Sequence, residues 1–374
     1  TFGEVQGGSL FGAWCTSGAT VTQQLDISYS KDDVALTLYD VPLPDSAYIT
    51  PTMGALGATF TSELHDGSIY ELRHITNSLI GTILETGTMT TLHISDLDVT
   101  DMSPLIEKNL GIISNIRIDT MKSPFLRKNN DGVTADTISI GEIEISRNSE
   151  QAMICQECAA NSTMNNVTVG SVIVDDNVII GKSGAYSGIL FSEIRGHVNN
   201  CSIDSISDSS GTKYQGSDCG VIGNVNQTSS MIGDLKIKGC TIQGDVSAVS
   251  DAFGIIGVIN RGNMAATNIT DGNGNVTGSG GYINSVMFKN INSTDVLRNR
   301  FLIIGYSNYS TFSGYRMNNI CFSGIGQDGG SIIGTNAGYD GKTTADNIIV
   351  VNYVTDGNGF VGKIASDVKT CNCS

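Results

Sequence analysis

The stretch Gly254-Ile255-Ile256-Gly257-Val258-Ile259 decides the reading of this chain. Its apolar residues are all β-branched, and such side chains favour extended backbone over helix. The pattern returns at Gly220-Val221-Ile222-Gly223, Leu302-Ile303-Ile304-Gly305, Ser331-Ile332-Ile333-Gly334 and Gly359-Phe360-Val361-Gly362. Looser copies precede it at Gly188-Ile189-Leu190, Ala152-Met153-Ile154, Pro124-Phe125-Leu126, Pro104-Leu105-Ile106 and Ser78-Leu79-Ile80-Gly81. Successive copies start about 30 residues apart, inside the window of roughly 20–50 that marks stacked repeats.

A second apolar segment sits in the middle of each unit, as in Asn200-Cys201-Ser202-Ile203 and Leu235-Lys236-Ile237-Lys238. Others are Ile283-Asn284-Ser285-Val286, Met317-Asn318-Asn319-Ile320 and Asn347-Ile348-Ile349-Val350. Alternation of apolar and polar residues gives each segment one buried and one wet face. Turns such as Asp271-Gly272-Asn273-Gly274 and Asp356-Gly357-Asn358-Gly359 separate the strands and adopt positive φ at little cost. No single unit buries its own strands, so units must stack and pair backbones with the units above and below. The expected fold is all-β, a right-handed parallel β-helix of about ten or more rungs spaced ~4.8 Å. Residues 79–374 carry the repeats. Residues 1–78 are less regular, with Pro42, Pro44 and Pro51 in a loop. They read as irregular first rungs, or as a cap that blunts the open sheet edge and serves as an assembly segment.

Composition agrees. The 374 residues include 45 Gly but 5 Pro, with 16% charged residues and a net charge of −16. Hydrophobic content of 40% with so little charge excludes a disordered chain. The glycines have no three-residue period, which excludes collagen. No apolar run approaches the ~18 residues of a membrane span. The acidic balance, with scattered Lys and Arg, argues against nucleic acid as a partner. Thin Leu, Glu, Lys and Arg argue against a helical or Rossmann-type enzyme.

The Gly-x-Ile-Gly starts followed by an Asn-Cys-type strand resemble the GLUG-type repeat of bacterial and protist surface proteins, including regions beside IgA peptidases. The resemblance covers residues 180–370 well and 79–180 loosely. It implies an extracellular, stalk-like or adhesive module.

Nine Asn-x-Ser/Thr sequons occur, at Asn161, Asn166, Asn200, Asn226, Asn268, Asn275, Asn292, Asn308 and Asn372. They are glycosylation candidates in a secretory setting. Nine cysteines are disulfide candidates: Cys15, Cys155, Cys158, Cys201, Cys219, Cys240, Cys321, Cys371 and Cys373. Cys201, Cys240 and Cys321 hold similar places in their strands and are expected to stack on one face, with a Cys201–Cys240 bridge as the sharper reading. The odd count leaves at least one thiol free or paired between chains, and Cys371-Asn372-Cys373 suits capping or an inter-subunit link.

Asp271-Gly272-Asn273-Gly274-Asn275 spaces oxygens like a calcium loop, but Val276 and Tyr282 replace the required glycine and bidentate glutamate. It reads as a solvated turn, and no metal or cofactor is implied. Polygalacturonases use clustered Asp residues, Gly-His-Gly and Arg-Ile-Lys; here Asp175, Asp176, His197 and Lys236 stand in that order. Val198 replaces the second glycine, Lys236 replaces the arginine, and the earlier acid is missing near Ile154 and Cys155. Tyr214, Tyr306, Tyr309, Tyr315 and Tyr339 lie near turns, where they either stack on sugars or pack between rungs. The functional expectation is therefore an extracellular or cell-surface structural glycoprotein, the repeating subunit of a fibre that pairs with copies of itself. Surface glycans are a further class of partner. The alternatives are a carbohydrate-binding adhesin and a polygalacturonase-like hydrolase or lyase.

Overall fold

Each repeat start becomes a strand of one parallel sheet. The computed structural model describes residues 53–56, 59–60, 69–75 and 78–289, with breaks at 86, 100, 209–210, 217, 247–251 and 275. It further describes 292–293, 301–323, 331–335, 344–346, 348–355 and 369–371. In the first sheet Met53–Leu56, Ile80–Ile83, Ile106–Asn109, Leu126–Asn129, Cys155–Cys158 and Phe191–Ile194 pair in that order. Asp218–Asn226, Ala252–Asn260, Phe301–Asn308 and Ser331–Thr335 continue it. Each strand pairs in parallel with the corresponding strand of the next unit. The copy at Gly359 and residues 1–52 lie outside the described residues.

The mid-unit segments form a second parallel sheet. Thr88–Val99, Ile112–Met121, Thr134–Ile145 and Thr163–Val174 are its long strands. Beyond them the ladder runs through shorter pieces to Arg316–Ser323 and Ile349–Thr355. Ile69–Ile75 pairs with Thr88–Val99, so residues within the irregular N-terminal region join the same stack. A third parallel sheet, Ile179–Ile180, Thr212–Tyr214, Gly244–Val246 and Asn292–Ser293, has strands too short for any sequence period to reveal. No helix occurs among the described residues.

Parallel register turns inward positions into columns. Ile94, Ile118, Ile140, Val169, Ile203, Ile237, Ile283 and Met317 stack through eight units, all buried. Each such side chain contributes roughly 1.5–3 kcal/mol of burial. Strict alternation does not hold, however. In Met89-Thr90-Thr91-Leu92, Ile113-Ser114-Asn115-Ile116, Ala135-Asp136-Thr137-Ile138, Met164-Asn165-Asn166-Val167 and Val198-Asn199-Asn200-Cys201 two polar residues separate buried apolar ones. The second polar residue has φ between 50° and 55° at Thr91, Asn115, Thr137, Asn166 and Asn200. This left-handed residue bends the strand and is a conformation that asparagine tolerates.

Asparagines also stack inside the first sheet. Asn109 and Asn129 are buried, and the Asn109 Nδ2 donates to Asn129 Oδ1 at 2.9 Å. Asn129 Nδ2 donates to the carbonyls of Val133 and Thr163 at 3.2 and 3.1 Å. Burial of these amides costs free energy unless they are paired. Asn129→Ala removes the acceptor of the Asn109 amide and should lower stability by about 1–3 kcal/mol. Ile112→Ala, at a position 53% exposed, should change it by less than about 0.5 kcal/mol. Urea unfolding of both variants measures the difference, and equal effects would refute the buried ladder as a stabilising element.

Candidate functional site

The connections between the first and second sheets differ in length. Residues 84–87 and 130–133 each connect strands through four residues, and between them residues 110–111 do so through two. Gly111 permits the tight corner, because a Cβ there would stand 2.3 Å from the carbonyl oxygens of Leu84 and Gly87. The short corner leaves a cleft of about 410 Å³, lined by Glu85, Leu110, Ile112, Ser114, Thr134 and Asp136 among others. Its flanking units lie two spacings apart, about 9.6 Å, so the slot is about one chain layer thick.

The chemistry of the slot is one-sided. None of its lining residues is Lys, Arg or His. Asp136 Oδ1 accepts from Asn165 and Asn166 amides at 3.2 and 2.8 Å, which fixes the carboxylate. Ser114 Oγ lies 2.8 Å from Thr90 Oγ1. Exposed Ile112 supplies an apolar floor. Such a slot repels anions and offers acceptors to hydroxyl or ammonium donors.

The residues singled out for polysaccharide hydrolysis do not converge. Exposed Asp175 and Asp176 follow the end of the strand Thr163–Val174. His197 pairs with Thr163, at the start of that twelve-residue strand. Lys236 pairs with Ser202, and its Nζ donates to Asn200 Oδ1 at 3.0 Å. His197 Nδ1 is buried without a hydrogen-bond partner. The charge of Asp176 instead acts on Asp208, whose carboxyl it helps to raise.

The expected cysteine stack is corrected by register. Cys240 pairs with Ile206 and Val286, Cys321 pairs with Met287, and Cys201 precedes Ser202 in a different column. Cys155, Cys158, Cys201, Cys219, Cys240 and Cys321 are free thiols, so the Cys201–Cys240 bridge is absent. Burial pushes the Cys201 thiol up to about 12. A hydrogen bond with Cys155 and burial hold Cys158 well above the ordinary thiol range. Cys15 and Cys373 lie outside the described residues, and of Cys371 only its backbone pairing with Asp346 is described.

Sequons separate into two kinds. Asn161 and Asn268 are exposed. Asn166 and Asn200 occupy the bend column, where Asn200 Nδ2 donates to Asn166 Oδ1 at 2.6 Å. Asn226 Nδ2 donates to Glu193 Oε1 at 3.0 Å. Asn292 and Asn308 lie in strands, while Asn275 and Asn372 lie outside the described residues. The calcium-like segment is the tip of an antiparallel hairpin, Asn268–Thr270 against Val276–Ser279. Asp271 Oδ1 there accepts the Asn273 N–H at 2.8 Å, and Gly274 has φ +84°. Tyr214 and Tyr315 are fully buried and Tyr309 is exposed.

No family model, no curated protein and no solved structure matches the chain.

Thiol burial has a measurable consequence. Only the thiolate reacts with alkylating agents, so Cys321 should react in the folded protein at least about ten times faster than Cys155, Cys158, Cys201, Cys219 or Cys240. Peptide mass spectrometry after timed iodoacetamide treatment checks this, and uniform labelling before unfolding would contradict the buried placement.

Proposed function

We propose that the chain is a right-handed parallel β-helix from an extracellular or cell-surface protein, acting as a structural subunit of a fibre. The observation that carries this reading is the sheet order. Parallel pairing passes from unit to unit between Met53–Leu56 and Lys369–Cys371, with three sheets running alongside one another. Right-handed crossover is the hand that about 98% of parallel connections adopt. The likeness to GLUG-type repeats supports a surface setting, as do exposed sequons at Asn161 and Asn268. Paired surface charge also suits a scaffold: Arg117, Arg127, Lys128, Lys182 and Arg195 all contact carboxylates.

A stack of parallel strands offers unpaired N–H and C=O groups wherever pairing stops, a template for another copy. Assembly should therefore grow with concentration. Sedimentation velocity across a hundredfold concentration range, with negative-stain microscopy, should show elongated multimers. A monodisperse monomer at the highest concentration would overturn the fibre reading.

The slot beside Ile112 favours a second reading, a carbohydrate-binding adhesin. Its acceptors and missing cations suit neutral saccharide hydroxyls rather than uronates. On a glycan array the protein should prefer neutral over anionic glycans, and Glu85→Gln with Asp136→Asn should reduce binding at least about tenfold. Undiminished binding by the double variant would remove the slot from that role. The separation of Asp175 and Asp176 from His197 leaves the hydrolase reading without a supporting geometry.

A further inference from the structure

One inward column breaks its own rule. Ile145, Val174 and Asp208 succeed one another in register; in the next unit Thr241 pairs with Ser207, and Ile242, which follows it, pairs on through Phe288 to Phe322. Asp208 is only 4% exposed. Its Oδ1 accepts from the Thr212 hydroxyl, and its Oδ2 accepts from the Tyr214 hydroxyl at 2.8 Å and the Gln243 N–H at 3.3 Å. Asp208 ends the second-sheet strand Ser202–Asp208, whereas Thr212 and Tyr214 belong to the third sheet. One carboxyl thus ties two sheets and reaches the backbone of the next unit. Tyr214 in turn packs on Phe253 at 4.7 Å between ring centroids, which packs on Phe288 at 5.9 Å.

We propose that Asp208 is a protonation-controlled latch, whose neutral form holds the strand Thr212–Tyr214 against the second sheet more firmly than its anion does. Among the described residues, the titratable groups that interact with it are Asp176 from the preceding unit, Tyr214 from the third sheet and Cys240 from the following unit. None is a cation. Burial first, and then the like charge of Asp176, push the Asp208 carboxyl up to about 6 against its three hydrogen bonds. The protonated carboxyl has an acceptor at hand in the Thr212 oxygen. Thr212 Oγ1 lies 3.4 Å from the Asp175 carbonyl and can turn its own proton there. Protonation therefore exchanges a buried charge for a short relay from Asp208 through Thr212 to the preceding unit.

The sign follows from linkage. The folded value lies above the ordinary 3.8, so the added stability is complete below about 3.8 and is lost as pH rises through about 6. Hydrogen exchange of peptides spanning residues 205–216, corrected for intrinsic rates, reads the latch in the whole chain. Opening should be about tenfold rarer at pH 5 than at pH 7.5. Asp176→Asn, at an exposed position, should move the midpoint to lower pH by removing the like charge. Tyr214→Phe should move it to higher pH by removing a donor to the anion. Asp208→Asn should abolish the dependence. Retention of the parent profile by Asp208→Asn, or unmoved midpoints in the other two variants, would overturn the latch. If Asp208→Asn fails to fold, the opposite midpoint shifts of the other two decide.

Discussion

Everything in this molecule depends on parallel backbone pairing between one unit and the next in nearly constant register. A parallel ladder places like positions on top of one another at ~4.8 Å. A side chain then sees its counterparts above and below more closely than its sequence neighbours. An isoleucine is satisfied by that arrangement, since stacked aliphatics exclude water along the whole column. The eight-residue column from Ile94 to Met317 is the direct result. A polar residue survives inside only when its neighbour can answer it, as Asn129 answers Asn109.

The same stacking organises the outside. Cations and carboxylates on adjacent units meet in lines, such as Lys128 with Glu157 at 2.9 Å and Arg127 with Glu107 at 3.0 Å. Each exposed pair contributes only ~0–1 kcal/mol. Like charges do stack, Lys108 on Lys128 and Glu157 on Glu193, and contacts of Lys128 with Glu157 and of Arg195 with both glutamates offset that repulsion. On the outer face of the second sheet, Asp119 takes Arg117 Nε and His93 Nε2, both at 2.8 Å. Partial burial raises that carboxyl, but the hydrogen bonds and positive charge outweigh it and leave it lowered.

Departures from repetition are where individuality enters. A corner two residues long between corners of four makes the slot at Ile112. An aspartate in an apolar column makes the link between the second and third sheets. Above that link the rings of Tyr214, Phe253, Phe288, Phe322 and Tyr353 follow one another at 4.7 to 6.1 Å. Aromatic pairs in this range add about 0.5–1.5 kcal/mol each beyond their burial.

The sequence by itself determined the all-β class, the parallel units and most inward residues, because β-branched runs recurring every ~30 residues have only one economical way to be buried. It also held a signal that alternation obscures: apolar–polar–polar–apolar at Ala135-Asp136-Thr137-Ile138 marks a bend, since two outward residues in succession require the strand to turn. Only the tertiary structure decided which residues share a column. Cys201, Cys240 and Cys321 look alike along the chain, yet pairing sets Ser202, next to Cys201, beside Lys236, Cys240 beside Ile206 and Cys321 beside Met287, so each holds a different place in its unit. Asp208 shows the same dependence. Its partners Thr212 and Tyr214 lie four and six residues along the chain, in the third sheet, whereas Gln243 and Asp176 come from the following and preceding units and reach it only through stacking.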